Sequence, residues 1–182
     1  MIARAAFAVC LAAAAAQAGE ERVPEPDGYR MEAFRAPVPA TLRGATVVDT
    51  AAAHALWRAG ETVFIDVLPR AVKPEGLPEG TLWRDRPRDS IPGAFWLPNV
   101  GYGALHPDMD ARFRAALREA TAGDLDRPLL FFCLDECWMS WNAAKRALRE
   151  YGHSAVFWYP EGTDGWSWED HPVERATPAE GF

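Results

Sequence analysis

Leu129-Leu130-Phe131-Phe132-Cys133-Leu134-Asp135-Glu136-Cys137-Trp138-Met139-Ser140-Trp141-Asn142-Ala143-Ala144-Lys145-Arg146-Ala147-Leu148 is the stretch that decides how this chain is read. Its apolar, aromatic-rich opening ends at Cys133 and has the pattern of a buried strand. Trp141, Ala144 and Leu148 then recur at helical spacing and predict a helix starting near Ser140, with Ser140 as N-cap and Gly152 beyond its last turn. Between the two lies a tight loop with a cysteine at either end. Unpaired N–H groups and the helix dipole favour an anion at such a place, so Cys133 is expected as the thiolate.

Working outward, Ser154–Tyr159 reads as a further strand, followed by a turn at Gly162-Thr163-Asp164-Gly165-Trp166. On the other side, Met109–Ala120 is an amphipathic helix with Phe113 and Leu117 on one face. Glu61–Val67 is a near-continuous apolar strand ending beside Asp66, as expected where helices cover both sheet faces. Asp66 is expected to support the site, either as a hydrogen-bond acceptor that orients the loop or from behind it, because ligands in open α/β sheets bind beyond the carboxyl edge. A short strand at Thr46–Thr50, a helix over 51–59 capped by Thr50 and a stop at Gly60 precede it. Residues 68–90 form a long loop rich in proline and mixed charge, among them Arg84, Arg88 and Asp89, and read as a functional loop or a solvated insertion. Strands alternating with helices predict a single α/β domain, a parallel sheet flanked by helices, over residues 45–182.

Residues 1–18 are set apart. Arg4 precedes an apolar run from Ala5 to Ala16, and Ala16-Gln17-Ala18 fits a small-x-small cleavage site, so a signal peptide with a mature start at Gly19 is expected. The run is too short for a stable membrane anchor. Residues 19–44, with Pro24, Pro26, Pro37 and Pro39, are expected as an extended arm pinned by Tyr29, Met31 and Phe34. The 182-residue chain carries a formal net charge of -7, and cleavage would remove Arg4 and Cys10. So acidic a chain without a basic stripe is a poor nucleic-acid binder. Export would leave Cys133 and Cys137 as a pair in an oxidising compartment.

A disulfide across so small a loop constrains the unfolded chain little, which favours chemistry over a structural staple. Cys133 and Cys137 are therefore the candidate catalytic pair, and Leu134, Asp135, Glu136, Trp138, Met139 and Ser140 the loop residues that would meet a substrate. A soft-metal site would need more than two thiolates, and neither Met139 nor His54, His106, His153 or His171 falls at ligand spacing, so no metal and no cofactor is expected. Trp96, Trp138, Trp141 and Trp158 are expected in the core, and Lys145 and Arg146 on a solvated helix face.

A strand ending at Asp66, the turn Ile91-Pro92-Gly93-Ala94, a strand ending at Cys133 before a helix, and Gly162–Trp166 together resemble the rhodanese-like domain. More narrowly, Cys137-Trp138-Met139-Ser140-Trp141-Asn142-Ala143-Ala144-Lys145-Arg146, Glu25–Arg30, Trp96–Gly103 and Tyr159-Pro160 resemble the exported CXXCW-motif proteins associated with pyrroloquinoline-quinone-dependent catabolism, although three residues separate these cysteines. The first resemblance implies that Cys133 carries persulfide sulfur. It departs where Trp138 and Met139 replace the usual loop arginine, where Val67-Leu68-Pro69 follow Asp66, and where Ser90 precedes the Ile-Pro-Gly-Ala turn. Asp135 and Glu136 would also repel an anionic donor such as thiosulfate. The second resemblance implies a periplasmic protein. Its partner would be a quinoprotein dehydrogenase, a cytochrome c or a thiol-redox protein. Three readings follow from the two: persulfide transfer, disulfide exchange between Cys133 and Cys137, and a non-catalytic accessory role.

Overall fold

Strand residues of alternating direction build two cores, one on each face of a parallel sheet. A computed structural model describes residues 23–71, 73–84 and 86–182. The expected leader at 1–18 and the start of the arm lie outside the described residues. The elements run β1 (Thr46–Val47), α1 (Thr50–Ala59), β2 (Val63–Asp66), β3 (Arg88–Ser90), β4 (Phe95–Trp96), α2 (Pro107–Ala120), β5 (Leu129–Phe132), α3 (Trp138–Arg149), β6 (Val156–Tyr159), α4 (Gly162–Trp168) and β7 (Glu174–Ala176). The main sheet has the order β1-β6-β5-β2-β4 with every pairing parallel, which makes this an α/β fold. β3 and β7 form a separate antiparallel ribbon.

Val63, Ile65, Leu129, Phe131, Val156 and Trp158 point to the face where α3 and Phe113 and Leu117 of α2 pack. Phe64, Leu130, Phe132 and Tyr159 point to the other face and meet Ala53 of α1 and Trp166 of α4. The period of two, with apolar residues on both faces, is why these strands read as continuous hydrophobic runs. Trp96, Trp138, Trp141 and Trp158 are all buried, as expected.

Several boundaries differ from the sequence reading for local reasons. Asp49, not Thr50, caps α1, its carboxylate accepting from Ala52 N–H, while Gly60 closes the helix in left-handed backbone at φ 72. The Gly162–Trp166 segment is not a turn but the body of α4. The helix α3 starts at Trp138, two residues before the expected cap. Ser140 lies inside its first turn, its hydroxyl donating back to the Cys137 carbonyl at 3.1 Å.

The larger correction concerns the outer face of α3. Lys145 and Arg146 are buried, not solvated, because residues 23–44 lie over this helix without forming helix or strand themselves. Lys145 Nζ donates to the carbonyls of Pro26, Asp27 and Gly28 at 2.6–2.8 Å. Arg146 donates to the carbonyls of Val100, Tyr102 and Gly103 and stacks over the Tyr29 ring. Gly101 lets that segment approach closely: a Cβ there would sit 2.4 Å from the Met139 carbonyl oxygen. Among the described residues, no helix is long and apolar enough to cross a membrane.

Candidate active site

Cys133 follows the central strand β5, and Cys137 is the N-cap residue of α3, so the loop joins a strand end to a helix start. The two sulfurs lie 2.7 Å apart and are not bonded. An S–S bond is about 2.05 Å long, so a small movement closes it. Both cysteines are buried, at 0% and 2% exposure.

Their ionisation order reverses the sequence expectation. Cys133 is pushed well above the usual thiol range, first by burial, then by its hydrogen bond to Cys137, the Cys137 charge and the nearby Asp66 carboxylate. Cys137 is lowered to about 7, chiefly by its hydrogen bond with Cys133, with the backbone N–H groups of Met139 and Leu134 and the charge of Arg35 helping. Either thiol can donate in this contact. With Cys137 ionising first, the Cys133 S–H is the donor and Cys137 the thiolate. The helix N-terminus favours an anion as anticipated, but the sulfur it faces is Cys137, since Cys133 is still part of the dry strand end.

Around the pair, the expected loop residues divide. Leu134 is half-buried, while Asp135 and Glu136 are exposed. Asp135 N–H donates to the Asp164 carboxylate at 3.1 Å, and the Asp135 carboxylate accepts from Glu136 N–H at 2.9 Å. Trp138, Met139 and Ser140 are buried and cannot line an open substrate surface. Trp138 Nε1 donates to the Pro37 carbonyl, and Ser140 Oγ accepts from Trp158 Nε1 at 3.0 Å.

Asp66 is fully buried beneath the loop. It accepts from Arg88 Nε at 2.6 Å, Ser90 Oγ at 2.6 Å and Leu68 N–H at 2.9 Å. The same guanidinium donates to Thr163 Oγ1 at 3.0 Å and to the Cys133 carbonyl at 3.4 Å. Thr163 N–H donates to that carbonyl as well, at 3.0 Å. Gly162 permits the close approach: its φ is +54, and a Cβ would lie 2.5 Å from the Cys133 carbonyl oxygen. β2 leads outward to β4 and β5 leads the other way to β6, so their carboxyl ends are the topological switch point, the place where open α/β sheets bind ligands. Arg88 lies buried there.

Arg35, Arg88, Gly162 and Thr163 were not singled out as site residues by the sequence. The signal for Arg88 was its place just ahead of the Ser90-Ile91-Pro92-Gly93 turn, masked by a loop whose other charges suggested solvent.

No protein-family model matches the chain, and no curated protein does. Among solved structures, it resembles a protein of unknown function from Rhodopseudomonas palustris described as a possible tyrosine phosphatase. That match has 21% identity and a TM-score of 0.46, over 71% of this chain and 85% of the other. A variant of EanB in complex with hercynine matches at 22% identity and a TM-score of 0.50, over 80% of this chain. A second EanB variant with hercynine matches likewise, over 79%. This chain spans 34% of the length of EanB. At such identities the EanB likeness concerns the fold.

Proposed function

We infer that the chain is a rhodanese-like thiol–disulfide exchange protein in which Cys137 attacks and Cys133 resolves. The observation that carries this reading is the 2.7 Å contact between a thiol at a strand end and a thiol at a helix start. The Cys137 thiolate attacks a disulfide of a partner, one partner sulfur leaves as thiolate, and a mixed disulfide forms. Cys133 then attacks the Cys137 sulfur, its proton passing to the second departing thiolate. The protein is oxidised to an intramolecular disulfide, and the partner is reduced to two thiols.

The same contact argues against storing persulfide sulfur. A sulfane sulfur on either cysteine would leave the other thiol next to the inner sulfur. Attack there closes the disulfide and expels sulfide. The resemblance to exported CXXCW-motif proteins supports a periplasmic setting with a quinoprotein dehydrogenase, its cytochrome c or a thiol-redox protein as partner. A second reading, a non-catalytic accessory protein with a closed dithiol, draws on the burial of both sulfurs.

Alkylation of the reduced protein, resolved by site with mass spectrometry, separates the two. Below the Cys137 pKa of about 7 its rate should rise roughly tenfold per pH unit and level off above it, because only the thiolate reacts. Cys133 should stay unmodified until distinctly more alkaline pH. A Cys137 that ionises only near the ordinary thiol value of about 8.5, together with a disulfide inert to glutathione buffers, would favour the accessory reading instead.

A further inference from the structure

Arg88 lies buried against the ends of β2 and β5, and the arm is hydrogen-bonded to the loop that carries Cys137. There the chain is anchored twice and spans the gap between. Before the span, Asn142 bonds both the N–H and the carbonyl of Arg30, each at 2.9 Å, and Lys145 holds the carbonyls of Pro26, Asp27 and Gly28. After the span, Trp138 and Trp141 donate their indole N–H groups to the carbonyls of Pro37 and Thr41, both at 3.1 Å.

Residues 31–36 cross the loop between these anchors. Trp138 N–H donates to the Phe34 carbonyl at 2.9 Å and Ala36 N–H to the Glu136 carbonyl at 3.1 Å, so Arg35 and Cys137 face each other as an antiparallel pair. The bonds belong to their neighbours, which makes 35 and 137 the closely spaced kind of pair whose side chains stand nearest. Both sides of the contact hold a residue with a Cβ in left-handed backbone, Ala33 at φ 46 and Glu136 at φ 49. That conformation is costly for such residues, so the closed span is a strained one.

We propose that residues 31–36 are a displaceable occupant of the loop edge 136–138, and that an extended, disulfide-bearing segment of a partner protein takes their place. This rests on the exchange chemistry inferred above and names its substrate class. The edge offers one main-chain acceptor, the Glu136 carbonyl, and one donor, the Trp138 N–H, on either side of Cys137. An antiparallel segment that pairs with both sets its own central residue where Arg35 now stands. A half-cystine there delivers its sulfur to Cys137. The partner S–S bond breaks as the Cys137 mixed disulfide forms, the distal sulfur leaving as thiolate. Attack by Cys133 then frees the second.

The test uses the full chain and two probes: a linear peptide whose central cysteine is a mixed disulfide with thionitrobenzoate, and the same adduct of free cysteine, with release of the chromophore as readout. Ala36→Pro deletes the N–H that bonds Glu136 and should raise the rate with either probe by about fivefold. Ala33→Gly removes the strain of the closed span and should lower it by about threefold. In A36P the peptide should react about fivefold faster than the cysteine adduct, since only the peptide has a backbone to pair. Equal rates in wild type and A36P, or in wild type and A33G should A36P not fold, would overturn displacement. Equal rates of the two probes in A36P would overturn backbone docking. Disulfide cycling in glutathione buffer, measured alongside, reports the exchange chemistry itself and stays positive if only the displacement idea fails.

Discussion

Cys137 owes its low pKa first to a single neighbour. The Cys133 thiol stabilises the Cys137 thiolate, and the backbone N–H groups of Met139 and Leu134 add to it against the cost of burial. Cys133→Ala removes the largest of these contributions, so the pH midpoint for Cys137 alkylation should rise from about 7 toward the ordinary value of about 8.5. The reciprocal Cys137→Ala variant should leave Cys133 slow across the neutral range, because burial alone already opposes its ionisation. The same alkylation profiles check both. The sequence expectation put the anion on Cys133, whereas burial raises Cys133 and the hydrogen bond from it lowers Cys137. Charge at a helix start is a local property and can be read from sequence. How dry the end of a central strand becomes depends on residues far away: Thr163, Gly162 and Arg88 close over the Cys133 carbonyl from 30, 29 and 45 positions off.

At the scale of elements, α3 is the contact surface for the arm. Lys145→Met keeps a long apolar side chain but deletes the ammonium, with its contact over the Trp141 ring and its three hydrogen bonds to the carbonyls of 26–28. Leaving those carbonyls to solvent should cost roughly 1–3 kcal/mol of local stability. Limited proteolysis should then cut within 24–33 earlier than in wild type, with cleavage elsewhere unchanged. The alternation of strands and helices was legible because each element carries its own pattern, a short continuous apolar run for Leu129–Phe132 and a spacing of four for Phe113 and Leu117. The burial of Lys145 and Arg146 was not. A lysine on a helix face reads as solvated unless one knows that an irregular, proline-rich segment more than a hundred positions upstream presents bare carbonyls to it.

For the molecule as a whole, Arg88 ties three parts together through one side chain: the end of β2 through Asp66, the end of β5 through the Cys133 carbonyl, and α4 through Thr163. Arg88→Met leaves a fully buried Asp66 without its cation and should destabilise the fold by roughly 3–5 kcal/mol. The double variant D66N/R88M should recover a large part of that loss, because no uncompensated charge remains. Denaturant unfolding of the two variants and the wild type measures both. The alternation of strands and helices predicted the parallel sheet, whereas the ion pair between Asp66 and Arg88, which comes from the far end of the long loop, carries no local signal.

The arm is held to the cysteine loop by main-chain hydrogen bonds, from Ala36 to Glu136 and from Trp138 to Phe34. The side chain at position 35 makes none of these bonds and stands exposed beside Cys137. Its charge can therefore change without removing either of those hydrogen bonds, much as a tuning screw turns without opening the case. A lineage that replaced Arg35 with a neutral or acidic residue would keep both bonds and shift the reduction potential of the cysteine pair. That makes position 35 the place to look for natural variation in redox poise.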